Sequence, residues 1–137
     1  MPSQVLLGFD YGQRRIGVAV GQTVTATATA LATLAARDGQ PDWAEVTALI
    51  EEWRPDALVV GLPLRLDGTE SELSRAAQRF ARRLEGRYKR PVHLMDERLS
   101  SRTAEQTRTR DGARQGLDAL AAQVILQDWF ELFGETP

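Results

Sequence analysis

The chain has no cysteine, which excludes disulfides, thiolate metal sites and thiol nucleophiles. It has one histidine, His93, set in a strand-like run where a packing role is commoner than a catalytic one. Long hydrophobic runs are also missing. The longest, residues 57–64, is far too short to span a bilayer. No basic segment or cleavage pattern precedes the first apolar run, so a cytoplasmic protein away from membranes is expected. There is no internal repeat and no Pro- or Gly-rich linker. Residues 1–137 are therefore expected to form one domain, long enough to bury a core without staples. A hydrophobic share of 42% and a charged share of 26% are ordinary for a soluble globular protein.

Charge is small in sum but uneven in place. The net is −2, yet residues 75–114 carry twelve Arg or Lys against five Asp or Glu, which leaves −9 on the rest. That basic stretch reads either as one face for phosphates or as a solvated helix face.

Apolar periodicity places the elements. Residues 5–10 and 16–20 read as two strands of a hairpin joined by the turn Gly12-Gln13-Arg14-Arg15. Residues 23–33, rich in Thr and Ala, give a third, weak strand. Trp43, Val46, Leu49, Ile50 and Trp53 have helical spacing, and Pro55 stops that helix. Residues 57–61 suit a strand buried on both faces. Thr69-Glu70-Ser71-Glu72 has the pattern of a capping box, with Thr69 and Glu72 as its reciprocal pair. Leu73, Ala76, Ala77, Phe80, Ala81 and Leu84 then form an apolar stripe, with Arg75, Arg79, Arg82 and Arg83 mostly off it. Residues 91–95 form a further strand. Residues 100–116 hold no large apolar side chain and are expected to be an exposed helix or loop. Residues 117–133 are a well-buried helix. Strands in a hairpin, then strands alternating with helices, give a mixed α/β sheet flanked by helices.

Three carboxylates stand at the ends of these elements. Asp10 closes the first strand at a glycine turn, as a metal ligand on a rigid strand or as a turn residue capping its own loop. Asp96 and Glu97 follow a later strand; being adjacent they point to opposite faces, so only one faces a metal and the other is free to pair with an arginine. Asp118 shares a helical face with Ala121, Ala122, Ile125 and Trp129, where a lone acid is costly unless paired or metal-bound. Its alternative role is to stabilise the helix N-terminus. Converging acidic oxygens suit Mg²⁺ or Mn²⁺, ions able to drive phosphodiester cleavage. Gly61-Leu62-Pro63-Leu64 with Asp67-Gly68 leads into a helix N-terminus that could meet a phosphate, or is an ordinary turn.

Taken in order, four blocks resemble the YqgF family, also called RuvX or the pre-16S rRNA nucleases. They are Gly8-Phe9-Asp10-Tyr11-Gly12 with Arg15-Ile16-Gly17-Val18-Ala19; Val60-Gly61-Leu62-Pro63 with Asp67-Gly68; Asp96-Glu97-Arg98-Leu99-Ser100; and Asp118-Ala119-Leu120-Ala121-Ala122. They span nearly the whole chain. Arg114 stands where that family commonly has lysine.

The resemblance implies an RNase H-like fold: a five-stranded mixed sheet, its first three strands antiparallel, with helices on both faces. It implies Asp10, Glu97 and Asp118 as catalytic, metal-holding acids, with Mg²⁺ or Mn²⁺ as cofactor. Arg15, Arg98, Arg102 and Arg114 are the candidate nucleic-acid contacts. The implied task is trimming the 5′ end of pre-16S rRNA, with ribosomal particles as possible partners and a monomer or weak homodimer as the working form. Two rivals stand beside it. One is a resolvase of four-way DNA junctions using the same acids, which favours a two-fold dimer. The other is a non-catalytic RNA-binding assembly factor.

Overall fold

The computed structural model describes residues 3–99 and 114–133. The expected exposed stretch, apart from its last three residues, lies outside them. The strands are β1 (Val5–Asp10), β2 (Arg15–Gln22), β3 (Thr27–Arg37), β4 (Gln40–Pro41), β5 (Ala57–Leu62) and β6 (Val92–Asp96). The helices are α1 (Trp43–Trp53), α2 (Glu72–Tyr88) and α3 (Arg114–Phe133), with a 3-10 turn at Glu97–Leu99. Among the described residues no helix is long and apolar enough to cross a membrane.

The sheet runs β4-β3-β2-β1-β5-β6. β1 to β4 are antiparallel neighbours, whereas β5 is parallel to β1 and β6 to β5. This is a mixed α/β sheet, as expected, but with six strands instead of five. The extra strand is the two-residue β4, folded back on β3 through Asp38 and Gly39, both at positive φ (52° and 80°). Asp-Gly is the pair that such a hairpin turn favours. β3 also runs four residues past the expected end, because alternating Ala and Thr carry no stop signal before Asp38-Gly39.

Strand alternation sorts the core into two layers. Leu7, Phe9, Ile16, Val18, Leu58 and Val60 face α1 and α2, where Phe80 meets Phe9, Tyr11 and Trp43 at ring-centroid distances of 5.6, 5.0 and 5.8 Å. Leu6, Ala19, Ala57, Val59 and Met95 face α3, packed by Ala122, Ile125, Leu126 and Phe130. Helices thus cover both faces.

α1 has the expected ends, with Asp42 as N-cap accepting from the Ala44 amide at 3.0 Å. The cap of α2 differs from the expected one. Thr69 gives its amide and hydroxyl to Asp67 Oδ1, at 3.0 and 2.7 Å, and so belongs to the preceding turn. Ser71 is the N-cap, and its box partner is Ser74 instead of a glutamate.

Candidate active site

Asp10 is the last residue of β1 and points to the α3 side of the sheet, opposite Gly17 on β2. Gly17 has no side chain for a physical reason: a Cβ there would overlap the carbonyl of Asp118. The missing methyl lets the first turns of α3 lie directly on the strand, and this brings Asp118 beside Asp10. Gly61, at the same level on β5, does the same for the third acid. A Cβ there would come within 2.7 Å of both Glu97 Oε2 and Ile125 Cδ1.

The adjacent acids at the end of β6 have separate roles. Asp96 binds Arg98, whose Nη2 donates to Oδ2 at 2.7 Å and whose backbone amide donates to Oδ1 at 2.9 Å. That contact closes the 3-10 turn and holds the Asp96 carboxyl below the usual range. The Glu97 side chain goes inward over Gly61. Burial first, and the charge of Asp96 second, push its carboxyl up to about 7. Asp10 retains some solvent contact as a residue, but burial raises its carboxyl well above the ordinary value. Glu97 and then Asp118 raise it further through like charge. Asp10 therefore feels both other acids although they are distant in sequence.

They do not yet form a closed ligand set. Among the described residues no three acidic or imidazole side chains stand together closely enough to hold an ion. Asp118 instead accepts a hydrogen bond from Arg15 Nε at 2.8 Å, with both side chains about a quarter exposed (24% and 29%). The electrostatic proximity and the incomplete cluster agree if Asp118 is a neighbour of Asp10 whose oxygens are turned toward Arg15.

Asp118 and Arg15 also line an open groove of about 470 Å³, with Gln13, Arg14, Glu72 and Leu73. The groove runs past the β1–β2 turn to the N-terminus of α2 and touches the acids at Asp118. Of the candidate phosphate contacts, Arg15 and Arg98 are thus both engaged with carboxylates. Arg102 lies outside the described residues, as does the side chain of Arg114, whose backbone opens α3. His93 stacks on Trp129 at 5.2 Å and takes no part.

A family model described as RuvX, Holliday junction resolvase, matches residues 4–132. The chain belongs to this family. RuvX relatives that match almost end to end include a protein of Pseudomonas putida, 54% identical over 93% of this chain and 95% of its own length. Another, from Azotobacter vinelandii, is 55% identical over 92% of both chains. A third, from Saccharophagus degradans, is 46% identical over the full length of both. The names of all three propose a pre-16S rRNA nuclease. Among solved structures, Thermus thermophilus RuvC in complex with a Holliday junction substrate superposes with a TM-score of 0.57, covering 97% of this chain and 99% of that one. At 17% identity the likeness is one of fold, and it makes the fold of this RuvX chain RNase H-like.

The three acids stand out in the sequence, but the residues that seat them do not. Gly17 and Gly61 were visible only as members of motifs. Their alternation with Ile16 and Val18, and with Val60 and Leu62, was the signal that one strand face is kept bare for a helix. Gln13, Arg14 and Glu72, which line the groove, carry no local signal of their own.

Proposed function

We propose that this chain is a nuclease, one domain over residues 1–137, that hydrolyses phosphodiester bonds with Mg²⁺ or Mn²⁺. Its proposed substrate is the 5′ end of pre-16S rRNA in the cytoplasm, on or near ribosomal particles. The observation that supports the reading is the buried carboxyl of Asp10 at the end of β1, on which the charges of Glu97, from the turn after β6, and Asp118, from α3, both act. The names of the RuvX relatives support the substrate.

The donor chemistry fits a hard cation. Every candidate ligand is a carboxylate oxygen, and Asp10 and Glu97 both hold protons more tightly than free carboxylates do. A cation taking the place of those protons would relieve the same buried charge. Asp10, Glu97 and Asp118 are the residues that would hold it. Bound there, the ion would supply Lewis acidity toward a phosphoryl oxygen.

The protein residues do the rest. Asp10 is fixed by the central strand, and Glu97 by the Asp96–Arg98 turn, so both oxygens are positioned before substrate arrives. Arg15 holds Asp118 and keeps a positive charge at the mouth of the groove, beside Arg14. These arginines can meet backbone phosphates without reading sequence. Arg98 steadies the loop before α2 by reaching toward the Leu66 carbonyl at 3.4 Å.

The test is cleavage with Mn²⁺ or Mg²⁺ of a pre-16S 5′-end RNA beside a DNA four-way junction, with Asp10→Asn and Asp118→Asn as controls. RNA cleavage lost in both variants supports the proposal. Junction cleavage alone would favour the resolvase reading that the family description and the fold of RuvC suggest. No cleavage of either substrate, with the variants folded, would leave a binding factor.

A further inference from the structure

Five of the nine exposed residues of α2 are arginines, beside Glu72, Leu73, Glu85 and Gly86. Arg75, Arg79, Arg83 and Arg87 recur every four residues, all exposed, and so form one ridge. Like charges at that spacing work against the helix that carries them. Here the conflict is repeated three times in succession, and none of the four arginines forms an ion pair with a described residue. Glu85 lies two residues from both Arg83 and Arg87, about 160° round the helix. The guanidinium of Arg87 lies over the Trp43 ring at 4.2 Å, which fixes that charged head group against α1.

Both ends of the ridge lead somewhere. At its start, Glu72 and Leu73 on the same helix line the groove that contains Asp118 and Arg15. In its middle, Arg79 and Arg83 act on the Tyr11 phenol, which burial raises and these two arginines partly lower again. Tyr11 donates to the Gly39 carbonyl at 3.0 Å, and the Gly39 amide donates to the carbonyl of Gln13, a groove residue. At its end, Arg87 enters a hollow of about 700 Å³ with Arg54, Lys89 and Arg90 against one acid, Glu51. Arg90 is held there by the carbonyls of Pro55 and Tyr88 at 2.6 and 2.9 Å, while Arg54 and Lys89 cap their helices and carry no described ion pair. From Arg75 to Arg87 the helix rises about 18 Å, long enough to follow several successive phosphates.

We propose that the α2 arginine ridge and the basic hollow at its end form a track for a phosphodiester backbone, RNA in the first instance, leading away from the active-site groove. The inference rests on the nuclease reading, since the groove is where the strand would be cut. The track adds affinity and sets which flank of the cut site is held. It reads charge, not sequence.

The test is binding by the full chain carrying Asp10→Asn, in EDTA, to a labelled single-stranded RNA and to DNA of the same sequence. Affinity is followed between about 50 and about 200 mM KCl. Adding Arg79→Ala and Arg83→Ala should lower the slope of log affinity against log salt by about 1.4, roughly 0.7 for each lost contact with a single strand. Affinity at the lowest salt should fall at least about tenfold, with a melting temperature no lower than that of the parent, since the substitutions also relieve like-charge repulsion along the helix. Equal losses on RNA and DNA support backbone recognition, and a larger loss on RNA adds contact with the 2′ hydroxyl. Unchanged slope and affinity in the folded double variant overturn the track and leave the nuclease standing. The nuclease reading fails separately, if the wild-type chain cleaves nothing with Mn²⁺.

Discussion

A single methyl group added at Gly17 would occupy space already taken by the backbone of α3. Its nearest neighbours would be the carbonyl of Asp118 and the amide of Ala119, atoms that cannot rotate away as a side chain would. Forcing extra volume into a packed layer costs about 1–3 kcal/mol, and an immovable obstacle puts Gly17→Ala near the upper end. For a domain of this length that is a fall in Tm on the order of 10 °C. The chemical consequence should be larger. If α3 retreats by about 1 Å, Asp118 leaves its place beside Asp10, and a displacement of that size can cost about 100-fold in rate. Gly86→Ala is the matching control. It adds the same methyl in α2, where nothing lies within 4 Å, and should stabilise the protein by about 0.5–1 kcal/mol through helix propensity. Thermal unfolding followed by circular dichroism, with Mn²⁺-supported RNA cleavage on the same preparations, tests both. If Gly17→Ala melts and cleaves like the wild type, close approach of α3 is not what brings the acids together.

Three further outcomes follow from the same structure. Asp10 and Glu97 have folded-state pKa values above their unfolded ones, so the folded protein holds extra protons at mildly acidic pH. The stability they contribute is full below the unfolded values and is lost as pH rises through about 7 for Glu97, on the order of 3 kcal/mol for that group. In EDTA, the urea midpoint should therefore fall between pH 5 and pH 8. Asp10→Asn should flatten that fall and Mg²⁺ should oppose it, whereas an equal fall in the variant would refute the account. Phe80→Ala removes a fully buried ring that touches Phe9, Tyr11 and Trp43, and should cost about 3–5 kcal/mol by denaturant titration. Gln127→Ala should cost about 1–3 kcal/mol, because that side chain accepts from the Ala28 amide and donates to the Ala26 carbonyl, at 3.0 and 2.7 Å, tying α3 to β3. A smaller loss would mean that water replaces the bridge.

How much of this was legible in the sequence depended on the range of the interaction that decides each feature. α1 was readable to the residue because its stripe and the proline after it lie within one short window. The cap of α2 was misplaced by two residues, since Thr69 and Ser71 are equally good caps in isolation and only the Asp67 turn removes Thr69 from the contest. Whether Asp96 or Glu97 turns inward was open in the sequence. The decision is made by a bond from Arg98, two residues on, and by bare space over Gly61, thirty-six residues back. The pairing of Arg15 with Asp118, across 103 residues, left no trace in local pattern. It also changes the meaning of Arg15, which read as a phosphate contact and is found holding an acid. That pairing makes one further consequence testable. If Arg15 keeps Asp118 turned away until a cation arrives, Arg15→Ala should bind Mn²⁺ at least as tightly as the wild type while losing groove affinity for RNA. Weaker Mn²⁺ binding by calorimetry in a folded Arg15→Ala protein would show instead that the arginine builds the acidic site by holding Asp118 in place.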